Sequence, residues 1–207
     1  MARKSGSDGK KTARELRAAA TALFAKYGFA AVSMRQIAAE VGVQAGALYL
    51  YTPDKQTLLF QIMDRHMDDL LEAWRIHSEE LPQDPMDQIE HFVRFHIRFH
   101  LDRAAEIFIA YMELRNLSSE NFVLIEEKRR KYEGKLGDIL SNGNKAGRFA
   151  LSDTKLSSYA IIAMLTGVST WYRDDGRLSL DRIEDIYSSM VRGLVSQGGP
   201  TSKEDIV

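Results

Sequence analysis

Residues 33–55 read SMRQIAAEVGVQAGALYLYTPDK, and the chemistry offered by these side chains is recognition of a polyanion rather than turnover of a substrate. Gln44 can pair bidentately with an adenine edge, and Arg35 can reach either a base or a phosphate. Ser33, with the free N–H groups of a helix start, can hold a phosphate. Tyr49, Tyr51 and Lys55 are long enough for the same task, although Tyr51 reads equally well as core. Ala45 and Gly46 carry so little side chain that a helix bearing them can press close to a groove. Each residue alone would pass as an ordinary solvated side chain; together in one segment they read as a DNA contact surface.

Histidines form the second chemically suggestive set. His96 and His100 are four apart on one helix face, with His66 and His91 in neighbouring stretches. That spacing suits a divalent metal, but no carboxylate stands at a ligand-like spacing and HExxH is absent. The residues are better read as buried, hydrogen-bonded histidines of a pocket, with no metal and no cofactor expected. No G-x-S-x-G elbow, Gly-rich phosphate loop or strand framework is present, so an enzyme is not expected either.

The elements that must position the first set are legible locally. Ser33 and Gln36 form a capping-box pattern that starts a helix at Met34. Met34, Ile37, Ala38 and Val41 make its apolar face, and Gly42 follows where a left-handed residue ends it. A second helix of about two turns restarts near Gln44 or Ala45. Ala47, Leu48 and Tyr51 point inward from it, leaving Gln44, Ala45, Gly46, Tyr49 and Leu50 on the other side. Thr52 as N-cap and Pro53 at the first position open a long helix that runs to about Ser78. Before this unit, Leu16, Ala20, Leu23, Phe24 and Tyr27 form a helical face ending at Gly28. The whole is a helix-turn-helix whose second helix would enter a major groove.

Charge separates this unit from the rest. The 207-residue chain carries a net charge of −1, yet residues 1–55 hold nine Lys/Arg against four Asp/Glu and residues 56–207 hold nineteen against twenty-five. A basic end on an acidic body draws a polyanion to one end only. There is no cysteine, which excludes disulfides and thiolate metal sites. No apolar run approaches a membrane span and the first residues hold no apolar signal segment, so a cytoplasmic location without a membrane partner is expected.

The rest reads as helix: an all-α chain with a three-helix amino-terminal helix-turn-helix domain (1–55) and a helical-bundle ligand-binding and dimerisation domain (56–207). LPQDP (81–85) is the clearest break. The helix over 86–101 is apolar or aromatic nearly all round and should be central. A helix from Ser118 or Ser119 should stop at Asn142-Gly143, and single helices are expected over 154–173 and 180–195. In these last two, Leu156, Ala160, Ala163, Met164, Gly167, Val168 and Trp171 line one face of the first, and Ile183, Ile186, Tyr187, Met190 and Leu194 recur at heptad-like spacing in the second. A four-helix bundle across a two-fold axis would cover both, predicting a homodimer through the last two helices. Candidate ligand-binding residues are Trp74, Phe92, Phe95, His96, Phe99, His100, Phe108, Tyr111, Arg115, Trp171 and Arg173. Apolar walls with a few polar groups suit a long, apolar small molecule with an anionic end, paired by arginines such as Arg94, Arg98, Arg115 or Arg173.

Over residues 12–60 the chain resembles the TetR family of one-component bacterial transcriptional regulators, whose pattern T-x-x-x-I-A-x-x-x-G-V-x-x-G-x-L-Y-x-x-F-x-x-K-x-x-L is matched at Ile37, Ala38, Gly42, Val43, Gly46, Leu48, Tyr49, Lys55 and Leu58. Gln44 stands where the family usually has Ser or Thr as a cap, and Thr52 replaces the usual Phe. AGRF and TWYRDDGRLSLDRIEDIY look like a branch that senses acyl-CoA-type ligands. The resemblance implies a dimeric repressor binding palindromic double-stranded operator DNA, released by a small-molecule effector such as an acyl-CoA or fatty acid. A multidrug-type sensor for cationic aromatic compounds, or an activator of the same fold, is the alternative. A ligand-independent architectural DNA binder would have no need of an acidic helical body with an aromatic interior.

Overall fold

The computed structural model describes residues 7–196. Ten α-helices follow in order among them: α1 (Ser7–Tyr27), α2 (Met34–Val41), α3 (Ala45–Leu48), α4 (Lys55–His77), α5 (Pro85–Leu101), α6 (Ala104–Met112), α7 (Ser119–Lys145), α8 (Thr154–Thr166), α9 (Val168–Trp171) and α10 (Leu180–Ser196). No strand occurs among the described residues, so the chain is all-α as its periodicity predicts. Contacts gather it into two compact units. One comprises the chain up to Asp69 with Ala105–Lys128; the other comprises Leu70–Ala104 with the chain from Arg129 onward.

In the first unit α1 buries Leu16, Ala20 and Phe24, but Tyr27 is exposed. Gly28 at φ 82° turns the chain, and Phe29 rather than Tyr27 completes the face, packing edge-on against Phe24 at 5.3 Å between ring centroids. The capping box at α2 forms as expected: the Gln36 N–H donates to Ser33 Oγ at 3.3 Å, and the Ser33 N–H donates to Gln36 Oε1 at 2.7 Å. Gly42 at φ 72° ends the helix, and the Val43 N–H donates back to the Ala38 carbonyl at 3.0 Å.

Two expectations here need correction. The second helix is one turn of four residues rather than two turns, because Gln44 supplies no side-chain cap and the winding beyond Leu48 continues only as successive turns. The long helix begins at Lys55 rather than Pro53, because Asp54 and not Thr52 caps it. Asp54 Oδ1 accepts the Thr57 N–H at 2.6 Å, while the buried Thr52 hydroxyl donates to the Asp54 carbonyl at 3.1 Å.

In the second unit α5 starts at Pro85, with Asp84 Oδ1 accepting the Met86 N–H at 2.7 Å. It buries Ile89, Phe92, Val93, His96 and Ile97, but it is not apolar all round. Arg94 and Arg98 face α10, where the Glu184 side chain is 0% exposed. Arg98 donates to Glu184 at 2.5 and 2.8 Å, and Arg94 donates to it at 3.1 Å and to Asp185 at 2.6 Å. Burial alone would raise the Glu90 carboxyl, but hydrogen bonds from Arg94 and Arg192 outweigh it and hold the group below its ordinary value.

The carboxy-terminal helices differ from the sequence pattern in two places. The stretch 154–173 is not one helix; it breaks after Thr166. The Ser169 hydroxyl donates to the Thr166 carbonyl at 2.8 Å and the Thr170 hydroxyl to the Gly167 carbonyl at 2.7 Å, satisfying acceptors at the break. Helix α7 continues through Asn142-Gly143 to Lys145. Gly143 is not a stop signal but a slot: a Cβ there would lie 2.1 Å from ring carbons of Phe149, which is buried. In an open helix Gly→Ala is favourable by about 1 kcal/mol. Here overpacking should win, and Gly143→Ala should lower stability by about 1–3 kcal/mol, with Phe149→Leu recovering part of the loss. An unchanged or raised Tm for Gly143→Ala would mean that Phe149 is free to move.

Candidate DNA-reading surface and effector cleft

The first unit is built around Phe29. The Lys55 ammonium donates to the carbonyls of Phe29 and Val32, each at 2.8 Å, and sits 4.3 Å from the centroid of the Phe29 ring. On the other side the Phe29 N–H donates to Glu113 Oε1 at 3.0 Å, and Asn116 Nδ2 donates to the second Glu113 oxygen at 2.5 Å. Gln56 Nε2 in turn donates to the Asn116 carbonyl. The corner that leads from α1 into α2 is thus pinned by charged or polar groups from α4 and from the end of α6. This corner sets where α2 and α3 present their outer faces.

On those faces Ser33, Arg35, Gln44, Gly46, Tyr49 and Leu50 are exposed, while Ala45, Tyr51 and Lys55 are half-buried. Leu48, fully buried, anchors α3 from beneath. Ser33 spends its side chain on the cap of α2, so an anion there would meet backbone N–H groups rather than a free hydroxyl. Gln44 holds the N-cap position of α3 in an extended conformation without a side-chain capping bond. Lys55, read from sequence as a phosphate clamp, has two of its three protons committed to backbone carbonyls.

The ligand candidates are divided among three places. Phe95 and Phe99 form the floor of an open cleft of about 630 Å³ along α5. Trp74 and Phe92 stand behind that floor, with Trp74 edge-on to Phe95 at 5.1 Å and to Phe92 at 5.0 Å. His96 and His100 are buried in the same unit; His96 bridges the hydroxyls of Tyr132 and Thr166, each at 3.0 Å, and His100 Nδ1–H donates to the His96 carbonyl at 2.8 Å. Trp171 and Arg173 line a separate cavity of about 250 Å³. Phe108, Tyr111 and Arg115 are exposed and belong to the first unit.

The cleft also brings in His77 and Arg103, which the pattern did not single out, beside His91 of the histidine set. His77 at the end of α4 and His91 on α5 have ring centroids 5.8 Å apart, and His77 lies 5.0 Å from Phe95. Arg103 places its guanidinium 4.1 Å from the centroid of Phe99. His77 and His91 flank the LPQDP break, so only the reversal of the chain brings them together, and no local spacing could announce it. Burial, and then the neighbouring His91, push the His77 imidazole below its ordinary 6.5. No group of three or more potential metal ligands gathers among the described residues, and none of their helices is long and apolar enough to cross a membrane.

Comparison with known proteins gives a consistent result. The family profile described as "Bacterial regulatory proteins, tetR family" matches residues 16–62, and the one described as "Tetracyclin repressor-like, C-terminal domain" matches residues 82–195. The transcriptional repressor KstR2 of Mycobacterium tuberculosis H37Rv is 25% identical over 187 residues, covering 89% of this chain and 93% of the relative. A solved tetR-family regulator from Rhodococcus RHA1 superposes with a TM-score of 0.81 at 28% identity, covering 91% and 99% of the two chains. AibR, solved with isovaleryl coenzyme A and operator DNA, gives 0.79 at 25% identity over 87% and 97%.

The pinned corner generates a prediction. Lys55→Ala should lower the stability of the amino-terminal unit by about 2 kcal/mol through two lost charged hydrogen bonds. It should also weaken DNA binding in proportion for every sequence tested. Thermal unfolding and anisotropy titrations on specific and random duplexes read the two effects. Loss of DNA affinity with an unchanged Tm would assign Lys55 to phosphate contact alone.

Proposed function

The chain belongs to the TetR family of bacterial regulatory proteins, a family of transcriptional regulators rather than enzymes, and from that premise we propose that it is a homodimeric repressor released from a palindromic operator by an acyl-CoA-type effector. Residues 1–55 serve as the DNA-binding domain and 56–207 as the ligand-binding and dimerisation domain. In each copy Arg35, Gln44 and Tyr49 face the groove, with Ala45 and Gly46 allowing close approach and Ser33, Tyr51 and Lys55 at the phosphate edge. Two copies place two such heads on half-sites one helical turn apart or a multiple of it. The effector acts by binding one spacing of the heads better than the other. That KstR2 is a repressor supports repression over activation.

The observation that carries the effector class is the cleft along α5. An aromatic floor of Phe95 and Phe99 suits an acyl chain, while His77, His91 and Arg103 stand at its rim. Its volume of about 630 Å³ is within the usual range for small-molecule sites. That AibR binds isovaleryl coenzyme A supports the same class. Short and long acyl-CoAs should raise the Tm and release operator DNA in anisotropy titrations, with CoA esters outperforming free CoA. An anion beside His77 favours its protonated form, which burial disfavours in the empty cleft, so affinity should rise as pH is lowered, and His77→Phe should flatten that dependence. Release by cationic aromatic compounds alone would replace this effector class with a multidrug-type one, for which Asp87 and Asp102 at the cleft rim would be the partners.

The dimer rests on an apolar strip that the chain leaves uncovered. Leu156 is 65% exposed, Met190 54% and Trp171 49%, with Tyr159, Ala160 and Ala163 exposed on α8. Buried against a second copy these residues would form the four-helix bundle expected from their spacing. Met190→Asp should yield monomers in sedimentation, with helicity kept and operator affinity lost. A variant that remains dimeric would place the interface elsewhere.

A further inference from the structure

Leu50 is 82% exposed, more than any other large hydrophobic side chain among the described residues. A single exposed leucine is ordinary on a protein surface, but this one has a particular place. The winding of α3 persists beyond its last residue: the Leu50 N–H donates to the Ala47 carbonyl at 3.2 Å and the Tyr51 N–H to the Leu48 carbonyl at 2.9 Å. With 3.6 residues per turn, the positions two before and two after buried Leu48 lie nearly opposite it. Those positions are Gly46 and Leu50. Both are exposed, on the side of the winding away from the core. A Cβ at Gly46 would meet nothing within 4 Å. The outward face is therefore a gap followed by a branched apolar side chain, flanked by exposed Tyr49 and Gln44.

We propose that Leu50 is a specificity-determining residue that seats against the C5-methyl group of a thymine in the operator half-site. This rests on the reading of the chain as an operator-binding regulator. In the major groove the thymine methyl is the apolar mark that distinguishes a T·A pair, and aliphatic side chains read it by contact alone. The gap at Gly46 lets the turn approach closely enough for Leu50 to reach the floor of the groove. Contact removes both apolar surfaces from water, and it gains nothing from a cytosine at the same place, which lacks the methyl. Gln44, at the start of the same turn, then reads hydrogen-bonding groups while Leu50 reads shape.

The test uses the full-length dimer. Binding-site selection from random duplexes first yields the preferred half-site. Each thymine in it is then replaced singly by deoxyuridine, which removes the methyl and leaves every hydrogen-bonding group in place. One thymine per half-site should show about fourfold weaker binding on losing its methyl, the equivalent of one such group returned to water. Leu50→Ala, with unchanged helicity, should bind the thymine and deoxyuridine duplexes equally. If every deoxyuridine is tolerated, or if Leu50→Ala discriminates as well as the parent, the assignment is overturned while operator binding stands. If no sequence is enriched and no duplex is bound, the regulator reading itself falls, and this assignment with it.

Discussion

Both polar groups of the Phe29 backbone are claimed by charged side chains. Its N–H donates to the buried Glu113 carboxylate, and its carbonyl accepts from the Lys55 ammonium. A backbone corner without regular structure would otherwise leave these groups to water or unpaired, at a cost comparable to a lost hydrogen bond each. Because Lys55 opens α4 and Glu113 follows the end of α6, one residue ties together the three elements on which the placement of α2 and α3 depends. Gly28 makes this possible. Its φ of 82° disfavours a side chain, and a Cβ there would already lie 3.4 Å from Glu113 Oε1. The outer faces of α2 and α3 are therefore aimed by a small polar junction, and the short α3 has little hydrogen bonding of its own to hold it.

The second unit solves a different problem. Glu184 is fully buried on α10 and would be a severe liability without partners, since an uncompensated buried charge costs several kcal/mol. Arg94 and Arg98 supply three hydrogen bonds to it from α5. Such a cluster contributes little net stability compared with a well-packed apolar contact, but it admits few alternative registers. Helix α10 could slide along an apolar stripe; it cannot slide while Glu184 must find two guanidinium groups. The register so fixed also decides which side chains of α10 remain outside, Met190 among them.

What the sequence made legible was local. The Ser33–Gln36 capping box, the left-handed Gly42 and the buried Leu48 are all decided within a few residues, and each stands where its pattern predicts. What it hid was long-range. Lys55 and Glu113 give no local sign of the backbone carbonyls and N–H they serve, which are far away in the chain. Glu184 sits in LDRIEDIY, where a carboxylate every few residues reads as a solvated face, and only the approach of α5 reveals that one of them is buried. Gly143 looks like a helix end because Asn-Gly usually is one, whereas its role is set by the Phe149 ring that fills the space a side chain would need. Periodicity places Leu50 on the outer side of its turn, but only the folded unit shows how fully that apolar side chain stands out.

The allocation of arginines narrows the chemistry of the cleft. Read from sequence, Arg94 and Arg98 are natural partners for an effector's anionic end, since they share a helix with the aromatic floor. In the folded unit they are engaged by Glu184, Asp181, Asp185 and Glu90, and these hydrogen bonds, offset in part by burial, raise both guanidinium groups above their ordinary values. An incoming anion would have to displace carboxylates already held in good geometry, at least one of them buried. His77, His91 and Arg103 carry no such commitment to a buried acid. Arg103 is held by the Phe99 ring and its carbonyl, which leaves N–H groups to spare. His77, held below its ordinary value chiefly by burial, gains from a negative charge brought beside it. On the proposed reading, the anionic end of the effector would therefore meet His77 at the end of α4, His91 on α5 and Arg103 just beyond α5, rather than Arg94 or Arg98.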